Sequence, residues 1–472
     1  MSASSKLEDV SSMEALRDFP DWLPPMLVKE FRQGLRAGSF VLLLVALHLG
    51  VVLVEAFGLA ASVRSESTQF VGTLFWGAVY AVLLVGAPLR ALTALHAERE
   101  SRTLELLGAA GVSGTRLAWG KWVSLMAQSG LIAVSLLPYF ALRYYLGGVD
   151  LALDLRLLAL SVSVSGICVA AALAASALRR AFVRAATGAV FCLGFLMYWG
   201  FASALLDDPA GLATFNQMTG GWILILGGGL LSVVVLLRLS GDAVGSVSDN
   251  GAVLARLLLL SGWAAALLPA LRGVEETVFY GYLWLLGLLS LVVFAWHLGE
   301  LRVFEAHLRP FVRTGALGLF ASVFLLPNWV GCLWVLPLVV GVLLVVVKSI
   351  VFQTFLLLAG AFLASSVLLW RTCFPKVRNL FGLFALHAAL GGLASAVSFA
   401  LQTRLDTRWL SLLPAFGFWR YSSVQSKTLP DLPILPGWKE AALVAFLAYL
   451  SACGLLALAW VRREVWPGWK TR

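Results

Sequence analysis

Charge is what this chain has least of. Asp, Glu, Lys and Arg together supply 13% of 472 residues while apolar side chains supply 60%, against about 25% charged and 45–50% apolar in soluble globular domains. That balance excludes an ordinary soluble fold. Cysteine is also sparse: Cys168, Cys192, Cys332, Cys373 and Cys453 are scattered with no CxxC spacing, so neither a disulfide framework nor a zinc ribbon is expected. There is no GxxxxGK[ST] to cradle a nucleotide phosphate, and no HExxH or GxSxG, so the chain carries no catalytic motif and no ATPase site of its own. The five histidines, His48, His96, His297, His307 and His387, have no spaced partner, and no metal site is expected.

What is present is length of apolar run. Phe40 to Ala61, Phe70 to Leu89, Ser161 to Leu178 and Leu443 to Val461 reach or approach the ~20 residues that carry a helix across hydrocarbon. Strand-length alternation is missing, so the fold class expected is all-α, a polytopic integral membrane protein. Apolar runs read against polar breaks place about twelve spans, near residues 38–61, 69–92, 119–142, 155–178, 185–206, 220–239, 252–271, 277–298, 316–346, 350–370, 379–402 and 441–461. With both termini in the cytosol, the cytosolic segments hold 25 of the 35 Lys and Arg, as the positive-inside rule requires. The net charge of +10 is thereby assigned to membrane orientation and not to nucleic acid. The opening segment, "MSASSKLEDVSSMEALRDFPDWLPP", mixes charges of both signs without an apolar core and does not read as a signal peptide.

Polar residues within the spans are costly and mark candidate substrate contacts. His48, Glu55, Gln128, Asn328, Lys348, Gln353 and His387 qualify, with His48, Gln128 and Gln353 the residues taken for a substrate path. Glu55 and Lys348 can also snorkel to an interface. Few ionic groups within spans disfavour proton relay and suit an amphipathic or lipid-like cargo.

Two amphipathic segments lie at the expected cytosolic boundary. In "PPMLVKEFRQGLRAG", Met26, Leu27, Phe31 and Leu35 oppose Lys29, Glu30, Arg32 and Arg36; in "GELRVFEAHLRPFVRTG", Leu301, Phe304, Leu308 and Phe311 oppose Arg302, Glu305 and Arg309. Such helices lie in the plane of membrane lipid. They divide the chain into a cytosolic N-terminus at 1–37, a first half at 38–240, a linker at 241–251, and a second half at 252–472 with a long aromatic and basic exterior loop at 403–440.

The most unusual stretch is "HAERESRTLELLGAAGVSGTRLAWGKW", His96 to Trp122, charged between two apolar runs. Glu98 and Arg102 stand four apart, acid first, which supports a helix. Leu104 and Leu107 share a face. Gly111 suits a left-handed C′ position, and Ser113 can cap a second helix that runs through Arg116 and Lys121 into the third span. A rigid cytosolic protrusion results at 96–118.

"ERESRTLELLGAAGVSGTRLAWGKW" resembles the ERE-x-GTLE-LL-x-x-P-x-S-x-x-x-x-x-GK pattern between the second and third spans of type 2 ABC exporter permeases, and "PPMLVKEFRQGLRAGSF" resembles their amphipathic connector helix. The resemblance covers Pro24 to Trp122. It implies that Glu98, Arg99, Glu100, Thr103, Leu104, Glu105 and Leu107 meet a cytosolic ABC ATPase subunit, with ATP and Mg held in that partner and not in this chain, in a bacterial inner membrane. A second permease chain is the other partner it leaves open. Arg102 stands where that family often has Gly, and Ala110 or Gly111 where it has Pro. The family's usual six spans against about twelve here imply two fused permease halves, the second divergent. A twelve-span secondary transporter, and a membrane-embedded lipid or glycan transferase, remain the alternative functions; Asp406 and Asp431 of the long loop are too little to support the last.

Overall fold

The computed structural model describes residues 25–61, 68–101, 103–109, 111–146, 150–178, 181–207, 219–245, 251–272, 350–373 and 438–460, with short pieces between 282 and 341. These are almost entirely helical. Their helices are α1 (Pro25–Arg36), α2 (Gly38–Ala61), α3 (Thr68–Tyr80), α4 (Ala87–Glu100), α5 (Thr103–Ala109), α6 (Gly114–Leu146), α7 (Leu151–Ala177), α8 (Ala181–Asp207), α9 (Thr219–Val244), α10 (Gly251–Arg272), α11 (Ile350–Cys373) and α12 (Trp438–Trp460). A π-helical segment, Ala81–Gly86, joins α3 to α4. Five helical stretches among the described residues are long and apolar enough to cross a membrane: Gly38–Gly58, Val71–Glu100, Gly114–Tyr145, Leu151–Ala177 and Leu226–Val244. The spans expected at 316–346 and 379–402, the amphipathic segment Gly299 to Gly315 and the exterior loop up to Trp438 lie outside the described residues or are described only in isolated positions.

The chain divides into two compact units, Met1–Gly251 and Ala252–Arg472. In the first, α7 is the hub on which α4, α6, α8 and α9 pack. Its composition explains the role: Ser161, Ser165, Gly166, Ala170, Ala172 and Ala174 are buried, and small side chains let helix axes approach where the hydrophobic effect gives no driving force. Trp122 of α6 reaches the backbone there, its Nε1 donating to Gly166 O at 2.9 Å. Phe75, Trp76, Tyr80 and Phe140 fill the space beside α7 with stacked and edge-on rings.

The π segment has an identifiable cause. Its register is i to i−5, shown by Ala87 N–H donating to Val82 O. The next donor in that register would be residue 88, a proline with no N–H, and Leu83 O is left open. Ser165 of α7 fills it, its hydroxyl donating to Leu83 O at 2.7 Å across 82 positions. The widened turn is thus satisfied from a neighbouring helix.

In the second unit, α11 and α12 pack closely: a Cβ on Gly360 would lie 2.7 Å from the Phe446 ring, and Cys453 Sγ donates to Ala364 O at 3.2 Å. α10 is held by Trp263 Nε1 donating to Ser290 Oγ at 3.0 Å and by Tyr282 Oη donating to Gly262 O at 3.1 Å.

Candidate functional site

The described residues of the charged insert form the end of α4 up to Glu100, the short helix α5 from Thr103, and a turn. α4 ends at Glu100, and Ser101 leaves helical register with ψ near 0°. Ala97 O keeps the helical N–H of Ser101 at 3.0 Å beside the Ser101 hydroxyl, and at the next position Glu98 O accepts the Thr103 hydroxyl at 2.9 Å, a side-chain partner that competes with a continued helical ladder. Arg102, and with it the expected Glu98–Arg102 pair, lies outside the described residues. The Glu98 carboxylate accepts from the Thr103 hydroxyl and from Lys121 Nζ at 3.0 Å, with Lys29 Nζ at 3.9 Å.

After α5 the chain reverses as its residues dictate. Gly111 adopts φ +75° and donates its N–H to Gly108 O at 3.0 Å, a left-handed conformation that a side chain would strain. Ser113 then caps α6: its Oγ accepts from Arg116 N at 3.3 Å and its carbonyl from Leu117 N at 3.1 Å. Leu117 is buried behind the cap.

The base of this protrusion is bound on several sides. Lys121 of α6 donates to Oε1 and Oε2 of Glu30 on α1, both at 3.1 Å. Arg99, expected at the partner surface, turns into the bundle, its guanidinium donating to Ala177 O at 2.8 Å and Ala243 O at 3.2 Å. Those carbonyls sit at or within a residue of the C-terminal ends of α7 and α9, where a cation is favoured. Ser176 Oγ accepts from the N–H groups of Leu95 and His96. The first turn of α6 and the last turn of α9 touch through backbone: a Cβ on Gly114 would lie 2.3 Å from Gly241 O, and a Cβ on Gly241 would lie 2.6 Å from Thr115 Cα. Gly241 to Val244, expected as linker, are thus the packed end of α9.

The expected contact residues separate into a base and a tip. Glu98 and Arg99 belong to the base. Glu100 is exposed and pairs with His96 Nε2 at 3.0 Å; Thr103 and Leu104 are half-buried. The side chains of Glu105 and Leu107 lie outside what is described. Leu106, not singled out by sequence, is an exposed apolar side chain of α5, at 71%. On α1, Lys29, Arg32 and Arg36 are exposed, as an interfacial helix requires, but Glu30 is buried against Lys121. Its place on the polar face is corrected: a buried cation on α6 draws it inward. Lys121 itself gave no signal beyond its membership of the "GK" pair.

Of the residues taken for a substrate path, His48 is satisfied locally, its Nδ1 3.0 Å from Leu44 O and its ring edge-on to Tyr139. Gln128 is buried, with Nε2 3.5 Å from Ser124 Oγ and Oε1 without a partner. Gln353 lies on α11, its side chain outside what is described.

A second polar centre was not expected. Arg143, which a third span ending at 142 leaves in an exterior loop, lies within α6 and is buried between Glu55 of α2 and Asp154 of α7, at 3.5 and 3.3 Å. Its guanidinium also covers the Phe75 ring, 4.3 Å from the centroid. Glu55 is 7% exposed, so it does not snorkel to the interface. Both helices simply extend past the ends that hydropathy assigns, carrying Arg143 and Asp154 into contact.

Among the described residues no three His, Cys, Asp or Glu side chains are grouped to hold a metal ion. No protein-family model, curated protein or solved structure matches the chain.

Proposed function

We propose first that this chain is a membrane transport subunit driven from the cytosol, and second that it is the permease of an ATP-driven ABC exporter, about twelve spans in two halves with both termini cytosolic in a bacterial inner membrane. The observation that carries the reading is the α5 protrusion: a seven-residue helix with an exposed leucine at its tip, standing on a base locked to α1, α7 and α9. An exposed apolar residue on a rigid polar projection suits insertion into a partner's groove. The Lys121 contacts with Glu30 and Glu98 then join the projection to α1, so a push on α5 reaches the helix that leads into the first span. ATP and Mg reside in the partner ATPase, closure of which shifts the population of transmembrane states. The cargo is amphipathic or lipid-like.

One observation favours a different reading. Two buried carboxylates sharing one arginine, Glu55 and Asp154 on Arg143, are what an ion- or proton-coupled secondary transporter uses.

Co-isolation decides between them. The full chain, purified together with any soluble ATPase encoded beside it, is compared with Glu100→Arg, Leu104→Asp and Leu106→Asp. The exporter reading expects loss of the ATPase in the tip variants with unchanged thermal stability for Leu106→Asp, since exposed substitutions shift stability by about 0.5 kcal/mol or less. Undiminished association in all three, or no ATPase partner for the wild type, overturns it and leaves the secondary transporter.

A further inference from the structure

A cleft of about 480 Å³ opens between α1, α4 and α6, away from the α5 tip, lined by Gln33 and Gly34 of α1, Ser39 of α2, Arg90 and Thr93 of α4, and Gln128 of α6 among others. Helical spacing builds it: on α4, residues 90 and 94 stand one turn apart, and on α6 residues 121, 125 and 128 follow one stripe. Glu30 and Lys121 also reach it, but they neutralise each other in the ion pair already described. That leaves Arg90 as the uncompensated charge. Among the described residues its guanidinium meets the Phe40 ring, 5.4 Å from the centroid, and no carboxylate. The ring supports one face of the guanidinium plane and leaves the N–H edge for an acceptor.

The neutral lining fits the same acceptor. Gln128 is only 2% exposed, yet its Oε1 has no partner and its nitrogen makes one long contact. The open atom as placed is the acceptor Oε1; turning the amide over about its last torsion puts its NH2 there, a donor for an oxyanion, and gives a partner to a buried amide that otherwise spends little of its capacity. Ser39 adds a hydroxyl group, while the Thr93 hydroxyl donates to Arg90 O at 3.2 Å. Arg with amide and hydroxyl donors, at a net positive lining, is the chemistry of phosphate recognition.

We propose that this cleft binds a phosphate group, presented by an anionic phospholipid of the adjoining leaflet or by a soluble phosphate ester. Ser39 lies in the first turn of α2, where an amphipathic helix hands over to a span, so a lipid headgroup has direct access at that level. The site adjoins Lys121 and Glu30, through which its occupancy bears on the stability of the α5 base. The proposal does not depend on what docks at α5.

The test is native mass spectrometry of the full chain in mild detergent, equilibrated with equal amounts of phosphatidylcholine and phosphatidylglycerol, and separately with glycerol phosphate. Expected is one retained phosphatidylglycerol on the wild type, retained about tenfold less by Arg90→Gln, the worth of one charge-assisted hydrogen bond. Thr93→Glu, an exposed position that tolerates substitution, repels the anion and gives the same loss even where Arg90→Gln fails to accumulate. Arg90→Lys keeps most of the retention, and Arg116→Gln, a cation on the same end of α6 but outside the cleft, behaves as wild type. Glycerol phosphate bound with this variant pattern and no retained lipid assigns the site to a soluble ester. Retention equal in all variants, or no phosphate ligand on the wild type, overturns the proposal.

Discussion

Lys121 of α6 and Glu30 of α1, 91 positions apart, form a two-pronged ion pair with both Nζ to carboxylate oxygen distances at 3.1 Å and both side chains buried. Glu98 shares the same ammonium at 3.0 Å. One cation thus holds α1 and the end of α4 together, and its removal leaves Glu30 buried without a counter-charge and Glu98 with only the Lys29 ammonium at 3.9 Å. Lys121→Met is expected to cost roughly 3–5 kcal/mol. Adding Glu30→Gln recovers part of that loss, because an uncharged pair has less need of water. Thermal unfolding midpoints of the two single variants and the double variant in one detergent check it; strictly additive losses would mean the pair is not coupled.

Close approach at α6 and α9 rests on backbone on both sides, which cannot move aside. Gly114→Ala and Gly241→Ala each force the helices apart, at a cost of about 1–3 kcal/mol. Gly34→Ala is the contrast: its new Cβ would lie 2.2 Å from Gln128 Nε2, the end of a side chain that can rotate. The midpoint is expected to fall further for Gly114→Ala and Gly241→Ala than for Gly34→Ala; the reverse order would place the tight contact on α1.

Arg143 serves Glu55 and Asp154 at once. Arg143→Met leaves both carboxylates buried and is expected to destabilise the chain by roughly 3–5 kcal/mol. The triple variant Glu55→Gln, Arg143→Met, Asp154→Asn removes every charge and regains much of the difference. Expression level and unfolding midpoint read it out. Should the triple variant be no better than Arg143→Met alone, lost packing over Phe75 is the larger effect.

The π segment makes a subtler pairing. Ser165→Ala removes the donor to Leu83 O and is expected to cost about 1–2 kcal/mol, the penalty of a buried carbonyl left open. In Pro88→Ala an N–H becomes available in the same register, and Ser165→Ala then costs less. A double-mutant cycle on the midpoint measures the coupling; a value near zero would separate the serine from the proline.

Local chemistry was readable from the residues, and the rest was not. The helices, the apolar stretches long enough to span, the left-handed Gly111 and the Ser113 cap depend on neighbours within a few positions, where backbone geometry and side-chain type decide the outcome. Glu30, Arg99 and Arg143 were placed by the rule that a lone charge seeks water. That rule holds only until packing supplies a partner, and each partner here, Lys121, the carbonyls of Ala177 and Ala243, and Asp154, comes from another helix. The charge pattern along one strand of sequence thus determined which segments are helices and which of them are greasy enough for a membrane. Only tertiary packing decided which charges are buried, because a buried charge is tolerated where an opposite charge or open carbonyl arrives within hydrogen-bond reach, and that meeting is set by how helices distant in sequence lie against one another.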